Sequence, residues 1–200
     1  MLEAFYKTHN YLVDHVQVPA RRLLMDEINW NDRLIAIKGG RGVGKTDFLL
    51  NYAKELRTTN PELSKRTLYV NFNDFYFTEH SLVEFAGEFV AAGGHTLLID
   101  QAFKYPNWSR ELSQCYYNYK DLHIVFTASS VMRLVEDNKD LCSIVHPYNL
   151  RGFSFREYLN VTLGLKLPAY SLEEILHNHI DIAHRISQRI NPLDYFNDYL

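Results

Sequence analysis

Residues 33–46 read RLIAIKGGRGVGKT: branched apolar side chains, then a glycine-rich turn, then a lysine and a hydroxyl. Gly39, Gly44, Lys45 and Thr46 satisfy the spacing GxxxxGK[ST]. Glycines let the backbone curl until several N–H groups face one anion, and a helix opening at Gly44 adds its positive end. The pattern predicts a phosphate cradle formed by Gly39, Gly40, Arg41, Gly42, Val43, Gly44, Lys45 and Thr46, continuing to Asp47. In it Lys45 bridges β- and γ-phosphates and the Thr46 hydroxyl ligates Mg2+. Asp47 has a simpler role as well, since an acidic side chain in a first turn suits the helix dipole. These glycines do not spell the dinucleotide fingerprint GxGxxG.

Working outward, short runs rich in branched and aromatic residues recur at 34–37, 68–72, 96–99 and 123–126, as in parallel strands buried on both faces. Helical patterns lie between them at 47–55, 81–91 and 108–118. Strands alternating with helices imply right-handed crossovers and an α/β fold, a parallel sheet between two helical layers. Beyond Leu150 the texture turns helical, at 154–160 and 172–190. Ser171 and Glu174 there form a capping-box pattern. The expected organisation is a core over residues 1–152, including an N-terminal helical segment, and a small helical lid over 153–200. The aromatic end DYFNDYL suggests a chain cut short before a further C-terminal domain.

The run HTLLIDQAF delivers Asp100 to the carboxyl edge of the sheet, where ligands of open α/β sheets bind. Asp100 is thus the second candidate magnesium residue, beside Thr46. Gln101 follows where a hydrolase usually carries glutamate. An amide keeps the size and can orient a water, but it cannot accept a proton as a carboxylate does. The 123–126 strand is followed by Thr127, Ser129 and Ser130. A hydroxyl at its tip is placed to sense a γ-phosphate, with Thr127 the choice; capping of the strand end competes with that role. Lys45, Gln101 and Thr127 are therefore the candidate catalytic residues.

Composition bounds the rest. The 200 residues are 46% apolar and 22% charged with a net charge of -3, an ordinary globular balance without the basic footprint of nucleic-acid binding. No apolar run approaches the roughly 18 residues of a membrane span. The start MLEAFYKTHNY is not an export signal. Cys115 and Cys142 are too few for a disulfide framework, so a cytoplasmic location is expected. His177, His179 and His184 do not fall on one helical face, which disfavours a metal site. Aromatics at 72–77 and 116–119 read as core rather than base-stacking surface. Arg110, Arg133, Arg151 and Arg156 are candidates for contacting phosphate, Arg151 foremost, set against ordinary ion pairing.

The runs RLIAIKGGRGVGKT, LYVNFNDFYFTEHSL, HTLLIDQAFKYPNWSREL, LHIVFTASS and YNLRGFSFREYL together resemble bacterial AAA-type P-loop ATPases of the archaeal-ATPase and STAND-related group. The resemblance implies a strand order 5-1-4-3-2, a helical lid after Arg151, and an ATP- and Mg2+-dependent switch. It also implies self-association or a protein partner through the C-terminal part. The chain departs from the family at Gln101, where glutamate is usual. It departs again at residues 140–145, DLCSIV, which lack the arginines common there. Both departures point to weak hydrolysis. Two alternatives stay open: a small-molecule P-loop kinase using Asn73 or Asp74 to hold an acceptor, and a non-hydrolysing nucleotide-binding module.

Overall fold

The apolar runs form strands because a segment whose successive side chains point to opposite faces can bury every one of them only inside a sheet covered on both sides. In the computed structural model, which describes residues 1–129 and 139–200, this is what they do. The described elements are α1 (Leu2–His15), α2 (Leu24–Glu27), β1 (Leu34–Gly39), α3 (Lys45–Thr59), α4 (Pro61–Lys65), β2 (Thr67–Asn71), α5 (Tyr76–Glu79), α6 (Leu82–Ala91), β3 (Thr96–Asp100), α7 (Trp108–Asn118), β4 (His123–Ser129), β5 (His146–Asn149), α8 (Phe155–Leu163), α9 (Leu172–Ser187) and α10 (Phe196–Tyr199). They divide into two units, Met1–Gln17 with Ile28–Arg151, and Val18–Glu27 with Gly152–Leu200. Among the described residues no helix is long and apolar enough to cross a membrane.

The first unit holds a parallel sheet of order β5-β1-β4-β3-β2, the order that the resemblance implied. It is a three-layer α/β sandwich. One layer is α6 and α7, whose Phe85, Phe89, Leu112 and Cys115 pack against Leu34, Ala36, Leu97, Ile99 and Phe126. On the other side α3 lies along the sheet, and α1 packs on β2 and α3. Register then selects what meets under α3. Tyr69 pairs with Leu98 and Asn71 with Asp100, while Val125 pairs with Leu98, so alternation gives Tyr69, Asp100 and Thr127 the same face.

β5 was not visible as an apolar run. Its segment HPYN is mostly exposed and contains Pro147, a residue tolerated in an edge strand because no ladder partner waits for its missing N–H. β4 extends to Ser129, past the expected end, so Thr127 lies inside the strand and is fully buried. Of the aromatics expected in the core, Phe72 and Phe77 pack 4.6 Å apart, whereas Phe75 and Tyr117 are exposed.

In the second unit the capping-box pattern at Ser171 and Glu174 opens α9, and the same device at Ser154 and Glu157 opens α8. The segment Val18–Glu27 joins this unit, although it precedes the sheet in sequence. The buried Glu157 explains it: one carboxylate oxygen accepts the Leu23 amide at 2.9 Å and faces the Arg22 guanidinium at 3.4 Å. Burial opposes the charge, but the Ser154 and Leu23 amides and Arg22 outweigh it and keep Glu157 below the usual carboxylate range.

At the outer edge of the sheet, the Tyr69 amide donates to Nδ1 of buried His9 at 3.0 Å. α1 thereby covers an edge that would otherwise offer its backbone to other chains. Burial, with help from Arg57 and against the pull of Asp14, lowers the His9 pKa from 6.5 to about 4. The unfolded chain therefore takes up this proton first as pH falls. The His9 contribution is whole above pH 6.5 and is lost on the way down to about 4, a change of up to about 3 kcal/mol. Urea unfolding of wild type and His9→Gln at pH 7.5 and pH 4.5 checks this: the variant should show a shallower decline, and parallel declines would contradict the assignment.

Candidate functional site

The turn between β1 and α3 takes its shape from its glycines. Gly42 has φ +84° and Gly44 φ +87°, the left-handed region that side chains resist. Gly39 is limited by space instead, since a Cβ there would stand 2.5 Å from the Leu150 carbonyl oxygen and 2.9 Å from a Val43 methyl. Val43 thus supports the turn from beneath. Gly44 is also the N-cap of α3 and offers no side-chain oxygen to the first helical amides, which remain turned to the loop. Lys45 folds back over the turn, and its ammonium donates to the carbonyls of Gly39 and Gly40, both at 2.7 Å. Burial lowers the Lys45 pKa, and the charge of Asp100 works against that shift.

Beside the turn sits Asp100, only 2% exposed. Its Oδ2 accepts the Thr46 hydroxyl at 2.6 Å and the Tyr69 phenol at 3.0 Å. Its Oδ1 accepts the Thr127 hydroxyl at 2.6 Å and the main-chain N–H of Gln101 at 3.0 Å. A buried carboxylate is tolerable only with such partners. The Gln101 amide is shared with the Thr127 oxygen at 2.8 Å, and it reaches both because Gln101 adopts a left-handed conformation, φ 56°. That conformation costs a non-glycine residue about 1 kcal/mol.

The expected residues therefore converge on one cleft of about 690 Å3, bordered by Gly39, Arg41, Gly42, Gly44, Lys45, Thr46 and Asp47 on one side and by Asp100, Gln101 and Thr127 on the other. Gly40 and Val43 shape the turn rather than line it. Thr127 does border the cleft, but its single proton goes to Asp100. Phe103, Lys104 and Ser129 also line the cleft, and Tyr69 touches its carboxylate; of these four, sequence reading had noted Ser129 alone, as a hydroxyl past the 123–126 strand. Tyr69 was hidden by its type, since a tyrosine in an apolar run reads as core, although the two-residue alternation towards Asn71 carried its orientation.

Other candidates lie elsewhere. Arg156 donates to the Leu167 carbonyl inside the helical unit, and Arg110 and Arg151 are exposed and do not border the cleft. Arg133 and Ser130 lie outside the described residues. Asp74 spends Oδ1 on the Tyr76 amide, and the Asn73 amide donates to Asn71. His177 and His184 pair with Glu173 and Gln188 along their own helix.

The profile of the AAA domain family matches residues 31–159. The uncharacterized protein MJ1637 of Methanocaldococcus jannaschii is 26% identical over 178 residues, covering 83% of this chain and 36% of its own length. The chain thus spans about a third of the curated relative it matches. Among solved structures, AMPPCP-bound DnaA from Aquifex aeolicus aligns with 15% identity and a TM-score of 0.46, over 93% of this chain and 60% of that one. Domain III of the Thermotoga maritima replication initiation protein DnaA aligns with 18% identity and a TM-score of 0.44, over 83% and 71%.

The donors around Asp100 have a measurable consequence. In Asp100→Asn an amide NH2 replaces one acceptor oxygen and faces either Thr46 and Tyr69 or Thr127 and Gln101. Urea unfolding should show a loss of about 2 kcal/mol, and a loss below about 0.5 kcal/mol would mean that these bonds do not hold the core together.

Proposed function

Since the chain belongs to the AAA domain family and is a P-loop AAA-type ATPase domain, we propose that its cleft binds ATP with Mg2+ and that the domain works as a nucleotide-dependent switch with weak hydrolysis. The observation that carries this reading is the convergence of a positive-φ glycine turn, an uncapped helix start, Lys45, Thr46 and buried Asp100 on one cleft.

The residues fit such a ligand. Main-chain amides of the turn and of the first turn of α3 would hold the phosphates, and Lys45, whose ammonium now rests on carbonyl oxygens of that same turn, is within reach to exchange them for phosphate oxygens. Arg41 adds a second cation at the rim. Thr46 and Asp100, whose oxygens lie 2.6 Å apart, would hold the magnesium. When bound, that ion neutralises charge building on the β- and γ-phosphate oxygens. Gln101 lines the cleft and can orient an attacking water through its amide, but it leaves that water without a carboxylate to take its proton. A missing general base lowers turnover about 10²- to 10⁴-fold. Slow turnover suits a switch, in which the bound state has to persist. We place the chain with the archaeal-ATPase and STAND-related group on the motifs quoted above. For a domain that spans about a third of its relative, the output of the switch would pass to a protein partner or to a second copy.

Wild type and two variants test this reading. Lys45→Ala should weaken ATP binding by at least about tenfold, the loss of a charged hydrogen bond, as read by calorimetric titration. Gln101→Glu should raise phosphate release about 10²-fold over wild type. Wild-type affinity in the first variant would remove the nucleotide reading, and unchanged turnover in the second would remove Gln101 as the cause of slow hydrolysis.

A further inference from the structure

We infer that Tyr69 is the positioning residue for the magnesium side of Asp100, an inference that rests on reading the cleft as a Mg-ATP site. The two oxygens of Asp100 are held differently. Oδ1 is fixed by the Thr127 hydroxyl and by the main-chain N–H of Gln101, neither of which would ligate the ion. Oδ2 is held by Thr46 and Tyr69. Thr46 is itself a proposed ligand of the ion: its hydroxyl can face a cation with a lone pair and still donate its proton to Oδ2, so its position is tied to the ion. Tyr69 has no ligand role and is the donor that aims Oδ2 independently of the ion.

The tyrosine is built for that task. It is 4% exposed, on the strand whose register sets Asn71 beside Asp100. Its amide is anchored on His9 of α1, so its backbone is held at the edge of the sheet as firmly as its hydroxyl is held at the carboxylate. Partners that orient metal-binding side chains in this way typically change metal affinity about 10- to 100-fold when they are removed.

The test uses the isosteric Tyr69→Phe. ATP affinity is titrated in EDTA and across a range of Mg2+, beside wild type, Lys45→Ala, Asp100→Asn and the double variant Tyr69→Phe with Asp100→Asn. Tyr69→Phe should bind ATP in EDTA within about twofold of wild type and need about tenfold more Mg2+ for half of the metal-dependent gain. The double variant should match Asp100→Asn alone, because Tyr69 acts through that carboxylate. Wild-type Mg2+ dependence in Tyr69→Phe, equal losses with and without Mg2+, or an additive double variant would each overturn the inference. If Lys45→Ala still weakens ATP binding in those cases, the nucleotide site itself stands; if it does not, the nucleotide reading fails first. Should Tyr69→Phe fold poorly by circular dichroism at the first temperature, the same titrations at a lower temperature where it is folded decide on the same outcomes.

Discussion

The carboxylate of Asp100 is the constraint around which the first unit is arranged. A carboxylate that is 2% exposed needs hydrogen-bond partners in place of water, and this one draws them from different parts of the chain: Thr46 on α3, Tyr69 on β2, Thr127 on β4 and the main-chain N–H of Gln101 just beyond β3. Helix, edge strand and central strand are thereby fixed to one point. A register slip by one residue in β2 or β4 would turn Tyr69 or Thr127 to the opposite face and leave the charge without that donor.

The phosphate turn adds a second constraint, steric where the first is electrostatic. Gly39 lies against the Leu150 carbonyl at the end of β5, so the start of the turn and the edge of the sheet are fitted to each other. Gly42 and Gly44 supply the left-handed steps that turn the chain from β1 into α3. The cleft between turn and carboxylate carries Lys45, Arg41 and Lys104 against Asp47 and Asp100, so cationic groups border it on both sides. Such an edge suits a polyanion brought in with a divalent cation.

Legibility in the sequence followed burial. β1 to β4 stood out because both faces of each are covered, which leaves uninterrupted apolar runs. α9 and its cap stood out because Ser171 and Glu174 meet a local rule. β5 did not, because an exposed edge strand holding Pro147 owes its place to pairing with β1, and its own side chains do not record that. Val18–Glu27 joined the second unit through a contact between Leu23 and Glu157 that is remote in sequence. The phosphate turn and Asp100 were legible as motifs. Thr127 was identified as a site residue from its position at a strand end, yet its hydroxyl serves the carboxylate. Tyr69 required the pairing register, which a single sequence does not contain.

Backbone amide shifts of the 15N-labelled wild-type chain, recorded with and without Mg-ATP, test the central claim most directly. Nucleotide phosphates held by the turn should move the amides of Arg41 to Thr46 most and those of Asp100 and Gln101 next, leaving α9 nearly unchanged. A saturating spectrum in which the turn does not move, or in which the largest changes fall in the helical unit, would contradict the account.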